Sequence, residues 1–139
     1  MNFERHVRIA AFFWAALLLP ACAGKDAGGP SSDMSVHVEL GAVHRCSRIS
    51  PEITVSGAPA GTKYFDVRLV EYGEEDRFMG GGSWPNDGSG VIPEGAMMKH
   101  YRGPCPPSGQ AKEYAFIVSA MGKNNFQPAA VRVYRFTQE

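Results

Sequence analysis

The chain has 139 residues, with 14 Lys and Arg against 14 Asp and Glu and 44% hydrophobic residues. A formal net charge of zero argues against the basic face of a nucleic-acid binder. The length suits one domain large enough for a real core.

Met1 to Arg8 is short and slightly basic, and Ile9 to Leu19 is almost wholly apolar. Small residues follow at Ala21-Cys22-Ala23-Gly24. This is the layout of a secretory signal over residues 1–21. The apolar run is shorter than the roughly 20 residues a membrane span needs. Two cleavage readings compete. Ala21-Cys22-Ala23 fits ordinary signal cleavage. Leu19-Pro20-Ala21-Cys22 resembles a bacterial lipobox, which would leave Cys22 as a lipidated (palmitate-bearing) first residue. The lipobox reading is preferred. Ala23 after the cysteine resembles the sorting pattern for an outer membrane, so the expected place is the bacterial envelope, facing the periplasm. Soluble periplasmic or secreted protein is the alternative. Residues 22–34, rich in Gly, Ser and charged residues, read as a flexible tether. Residues 35–139 read as the domain.

The chain has three cysteines. With Cys22 lipidated, Cys46 and Cys105 remain as a pair in an oxidising compartment. Closing that loop would stabilise the fold by about 4 kcal/mol on the chain-entropy model. Two unpaired buried thiols are the alternative.

Beyond the leader no helical stripe, repeat or heptad run is found, and alternation by twos recurs. Val36, Val38 and Leu40 alternate with polar neighbours, as do Ile53 and Val55. From Tyr64 to Val70, Phe65, Val67 and Leu69 face one way and Asp66 and Arg68 the other. Tyr114 to Met121 is apolar on both faces apart from Ser119, the pattern of a doubly buried central strand. Val131 to Phe136 alternates again and closes the sheet. Turn signals stand at Gly57 to Gly61, Gly80-Gly81-Gly82, Asn86-Asp87-Gly88 and Gly103 to Gly109. Glu71 to Arg102 reads as a long irregular connection, of the kind a compact domain keeps when its loops have a job. The fold class is all-β, a two-sheet antiparallel sandwich with few or no helices outside the leader.

Three segments resemble the phosphatidylethanolamine-binding protein family, which includes the Raf kinase inhibitor protein, and in particular a secreted bacterial branch. They are Ser50-Pro51 through Pro59-Ala60-Gly61-Thr62, the glycine-rich run from Gly80 to Ala96, and Tyr101-Arg102-Gly103-Pro104-Cys105-Pro106-Pro107-Ser108-Gly109 followed by Tyr114. Cys46 sits where many bacterial members carry a cysteine. The resemblance covers about Cys46 to Met121. It implies a two-sheet antiparallel fold with a small anion pocket at one end of the sheet. On this chain the implied pocket residues are Gly103, Pro104 and Tyr114, with Lys112 where the family has a histidine and Asp66 on the neighbouring strand. Lys112 would neutralise an anion as a point charge and Tyr114 would donate a hydrogen bond. The chain departs from the family at Met79, in the place of another histidine. It departs again at Glu71 to Arg77, in the place of an Asp-Pro loop.

Other residues carry less. His100 precedes the proline loop and is a candidate for the pocket rim. His37 and His44 lack ligand spacing, so no metal and no cofactor is expected. Glu74-Glu75-Asp76 reads as solvated loop. Trp84 reads as a partner anchor or as a ring covering the sheet edge. Ser35, Ser56, Ser83 and Ser89 sit in no nucleophile context, so no catalytic residue is assigned. A hydrolase is the weakest reading, because it needs a nucleophile beside a base. The expected function is a non-enzymatic, membrane-tethered envelope lipoprotein that binds a small anion or a phospholipid head group. The alternative is an interaction or inhibitor module acting through its 71–102 loops on a protein partner. No nucleic-acid partner is expected.

Overall fold

The computed structural model describes residues 33–97, 100–124 and 126–139. The expected leader over 1–21 and the lipidation site at Cys22 lie outside them. Seven strands form among the described residues: β1 Ser35–Val38, β2 Ile53–Ser56, β3 Tyr64–Glu71, β4 Arg77–Pro85, β5 Val91–Ile92, β6 Lys112–Met121 and β7 Pro128–Gln138. One sheet has the order β1-β2-β5 and the other β4-β3-β6-β7. Every pairing is antiparallel. A 3₁₀ turn at Ala42–His44 is the only helical element among the described residues. The expected all-β, two-sheet architecture is therefore what the chain adopts.

The alternation read from the sequence is what builds the core. Val38, Ile53, Val55 and Ile92 face inward from the small sheet. Phe65, Val67 and Leu69 of β3 and Tyr114, Phe116, Val118 and Ala120 of β6 face them from the large one. Each of the valine, leucine, isoleucine and phenylalanine side chains among them contributes about 1.5–3 kcal/mol when fully buried. Phe136 of β7 stacks on both Tyr114 and Phe116, with ring centroids 5.7 Å apart in each case. Tyr101 stacks on Phe116 at 6.4 Å. The core starts one residue before the expected domain boundary, because Met34 is buried and its carbonyl accepts from Arg132 Nε at 2.6 Å.

Two expectations are corrected. β6 is central, between β3 and β7, but it is not doubly buried. Its second face carries Ala115, which is buried, and Ile117, Ser119 and Met121, which are half-buried. That face is the outer side of the large sheet, where Val131 and Val133 of β7 are also exposed. The small sheet covers only the other side. The second correction concerns Glu71 to Arg102, which is not irregular throughout. β4 runs straight through the triple glycine that reads as a turn in sequence.

The glycines of β4 have a steric reason. The register between β3 and β4 shifts after Leu69, so that Leu69 pairs with Gly80 and Val70 with Phe78, leaving Met79 as the extra residue of a bulge. Met79 and Gly80 are consequently both buried. The Met79 carbonyl turns toward the neighbouring segment and accepts from Arg102 N–H at 2.9 Å. That segment passes so close that a Cβ on Gly80 would lie 1.6 Å from the His100 carbonyl oxygen. A Cβ on Gly81 would lie 1.9 Å from the Val67 oxygen. Gly80 also has φ +121°, which L side chains rarely adopt. Both obstructions are backbone and cannot swing aside. Gly122, by contrast, would have nothing within 4 Å of an added methyl, and its φ is not positive. Urea unfolding of the purified protein should therefore separate two matched substitutions. Gly80→Ala should cost about 4 kcal/mol or more, or abolish folding, while Gly122→Ala should stay within about 0.5 kcal/mol of wild type.

Candidate functional site

The proline-rich loop reaches its place through contacts to the segment after the 3₁₀ turn. Cys46 and Cys105 form a disulfide with Cα atoms 4.6 Å apart and a sequence separation of 59. Two backbone hydrogen bonds run beside it: Cys46 N–H to the Pro104 oxygen at 3.0 Å and Gly103 N–H to the Ser47 oxygen at 2.7 Å. Gly103 lies so close to the 3₁₀ turn that a Cβ would sit 2.1 Å from the His44 oxygen. Pro104 is fully buried. Cys46 takes φ +52°, an unusual value for a residue with a side chain. His44 is buried behind this corner. Its Nδ1 accepts from Gly41 N–H at 2.8 Å, so Nε2 carries the proton and donates to Glu94 at 2.9 Å.

Strand parity places an acid in the same corner. Phe65, Val67 and Leu69 face inward, and the next residue of that phase is Glu71, which is only 7% exposed. Glu71 sits opposite Arg77 on β4 and Tyr114 on β6. Lys112 Nζ donates to its Oε1 at 2.9 Å, and Arg77 donates to its Oε2 at 3.1 Å. Burial pushes the Glu71 carboxyl toward protonation. The Lys112 hydrogen bond, the adjacent Tyr114 hydroxyl and the Arg77 charge outweigh this and hold it below the ordinary glutamate range. Tyr114 is fully buried, and its hydroxyl completes no hydrogen bond among the described residues. Burial, and then the facing Glu71 carboxylate, push its ionisation up to about 12.

Of the pocket residues expected from the sequence, the structure brings Gly103, Pro104, Lys112 and Tyr114 to this one corner. It does not bring Asp66. Asp66 pairs with Ser119, five positions along β6 from Tyr114, and points to the outer face, where Arg68 Nε lies 3.3 Å away. The corner is occupied from within: Glu71 neutralises Lys112, and Gly103 and Pro104 are packed.

An open cleft lies beside the corner, in two adjoining lobes of about 510 and 520 Å³. Arg48, Arg77, Met79 and Arg102 line both lobes. Phe78, Gly80, His100 and Tyr101 complete one lobe, and Cys46, Ser47 and Cys105 the other. No acidic side chain is on either lining among the described residues. Arg77 has Glu71 as a partner, whereas Arg48 and Arg102 have no ion pair among the described residues. Phe78 stands 62% exposed at the rim. The position that is Met79, rather than the family's histidine, thus sits on the floor of an arginine cleft. Arg48 and Arg77 carry no sequence signal of a site, and Arg102 lies in the proline-loop segment without being marked as a pocket residue. They are scattered along the chain, and only the β4 bulge and the disulfide assemble them.

No family model and no curated protein matches the chain. Among solved structures, the crystal structure of YbcL from E. coli, described as a new member of the mammalian PEBP family, is similar with a TM-score of 0.60. The match covers 76% of this chain and 98% of that one at 18% sequence identity. At that identity the likeness shows the fold. The chain has the fold of the phosphatidylethanolamine-binding proteins, as the ordered motifs of its sequence imply.

The lowered Glu71 ionisation fixes a sign for acid stability. Between the folded and unfolded values the unfolded chain binds more protons, so stability rises with pH there. The contribution is fully present above the ordinary glutamate range and is lost as pH falls through the folded value. Glu71→Gln should cost about 1–3 kcal/mol at neutral pH, through its charge-assisted hydrogen bonds. It should also flatten the dependence of stability on pH below about 5. Urea midpoints measured as a function of pH check both effects.

Proposed function

We propose that the protein is a non-enzymatic binding module, held at an envelope membrane through a lipidated Cys22, that captures a phosphate-like anion in the arginine cleft. The observation that carries this reading is the set of three guanidinium groups, Arg48, Arg77 and Arg102, on one lining with no carboxylate among its described residues. Guanidinium is the group suited to bidentate capture of phosphate or carboxylate. Arg48 and Arg102 are exposed and have no acid to satisfy them among the described residues. An incoming anion therefore displaces water rather than an internal partner. Arg77 links the cleft to the closed corner, because the same guanidinium that faces the cleft holds Glu71.

The cleft takes over the anion role that the family resemblance gives to Lys112 and Tyr114. In this chain Glu71 occupies Lys112, and an anion there would meet a carboxylate. Phe78 at the rim supplies apolar contact of the kind a lipid head-group site needs at a membrane surface. Free phosphate and a phospholipid head group share the same recognition chemistry. The tether and lipobox favour the membrane source. The rival reading, a partner-binding module, relies on Trp84 as an exposed anchor. Trp84 is half-buried and packs against the core.

Calorimetric titration tests the proposal. Inorganic phosphate should bind wild type, and the Arg48→Gln/Arg102→Gln double variant should bind it at least about tenfold more weakly, as expected for loss of charge-assisted hydrogen bonds. Vesicles of phosphatidylglycerol should bind in the same arginine-dependent way if the source is a lipid head group, and not if it is free phosphate. Absence of phosphate binding to wild type, or equal binding by the double variant, would reject the cleft.

A further inference from the structure

The disulfide is not only a tie between two loops. Both of its cysteines are exposed, and both line the cleft that holds Arg48, Arg77 and Arg102. We propose that Cys46–Cys105 is a thiol–disulfide exchange site that reacts selectively with small anionic thiols. This activity goes beyond anion binding; its selectivity rests on the same arginine cleft as the proposed function, while the exchange itself is the chemistry of the sulfurs.

Access comes first. In thiol–disulfide exchange the attacking species is the thiolate rather than the thiol, and it must reach the sulfur, so an approach path decides whether exchange happens. Here the path is an open lobe of about 520 Å³. Electrostatics then favour one kind of attacker. Cationic neighbours stabilise a thiolate, which makes each cysteine a better leaving group. They also raise the local concentration of an anionic attacker. Two of the three guanidinium groups, those of Arg48 and Arg102, have no ion pair among the described residues. The backbone makes the reaction reversible. The Cys46 N–H bond to Pro104 and the Gly103 N–H bond to Ser47 do not involve sulfur. They hold the two segments together after reduction, so the thiols stay adjacent and the disulfide can re-form.

In the first step a small thiolate attacks one sulfur and forms a mixed disulfide, while the Cys46–Cys105 bond breaks and its electron pair leaves on the other sulfur. A second small thiolate attacks the sulfur of the first, forms the small-molecule disulfide and releases the remaining cysteine as thiolate. Two electrons pass from two small thiols to the protein, and the cysteine thiolates take up protons from water.

Reduction of the native protein, followed by mass spectrometry after acid quenching, tests the idea. Glutathione is the anionic probe and cysteamine the cationic one, both at millimolar concentration. Each rate is divided by that of the same thiol with a neutral small disulfide. The normalised glutathione rate should exceed the cysteamine rate by about tenfold, and high salt should shrink the ratio. In Arg48→Gln/Arg102→Gln the ratio should fall toward one. Those side chains are exposed and have no ion-pair partner among the described residues, so the fold should survive. A wild-type ratio near one, or a native disulfide that neither thiol reduces, would overturn the proposal.

Discussion

The buried carboxylate of Glu71 governs the corner and the adjoining cleft of this structure. Strand alternation gives it no choice of face: Phe65, Val67 and Leu69 are inward, so the last residue of β3 is inward too. A carboxylate in that position must be paired and hydrogen-bonded, because an unpaired charge in an apolar setting costs far more than the packing returns. Lys112 and Arg77 supply the pairs from the two neighbouring strands. The consequence is local and decisive. The corner beside Tyr114, where the resemblance implies an anion pocket, carries its own anion.

The other parts of the site follow from how the loops meet that corner. The β4 bulge turns the Met79 carbonyl toward Arg102, and glycines at 80 and 81 admit neighbouring backbone where side chains would collide. The disulfide and its two parallel backbone hydrogen bonds bring the segment of Arg48 alongside. Three arginines from separate stretches of chain thus come to line one cleft. Arg77 belongs to both regions, so the state of Glu71 and the charge of the cleft are physically coupled.

Much of the fold is legible in the sequence because it rests on period-two patterning and on cysteine number. Alternation at Ile53 to Val55 and Tyr64 to Val70 puts strands where the structure has them, that at Val36 to Leu40 overshoots β1 by two residues, and an odd cysteine count points to Cys46 with Cys105. The triple glycine misleads because glycine most often marks freedom at a turn. At Gly80 and Gly81 it marks the opposite, a strand so crowded by backbone that no Cβ fits. The site is less legible. Glu71 can be found by extending the parity of Phe65, Val67 and Leu69 by one step. The same parity puts Asp66 on the outer face, away from Tyr114. The arginine cleft has no local signal, since its residues share neither a motif nor an element.

Glu71 must be ionised and held by Lys112 and Arg77 inside the corner for this arrangement to stand. A ¹³C NMR titration of the Glu71 side-chain carboxyl in the native protein probes that state without an intermediary. The expected midpoint lies below the ordinary glutamate range, with the Lys112 side-chain signals responding at the same pH. A midpoint at or above that range, with Lys112 indifferent to it, would show that the corner does not carry its own anion.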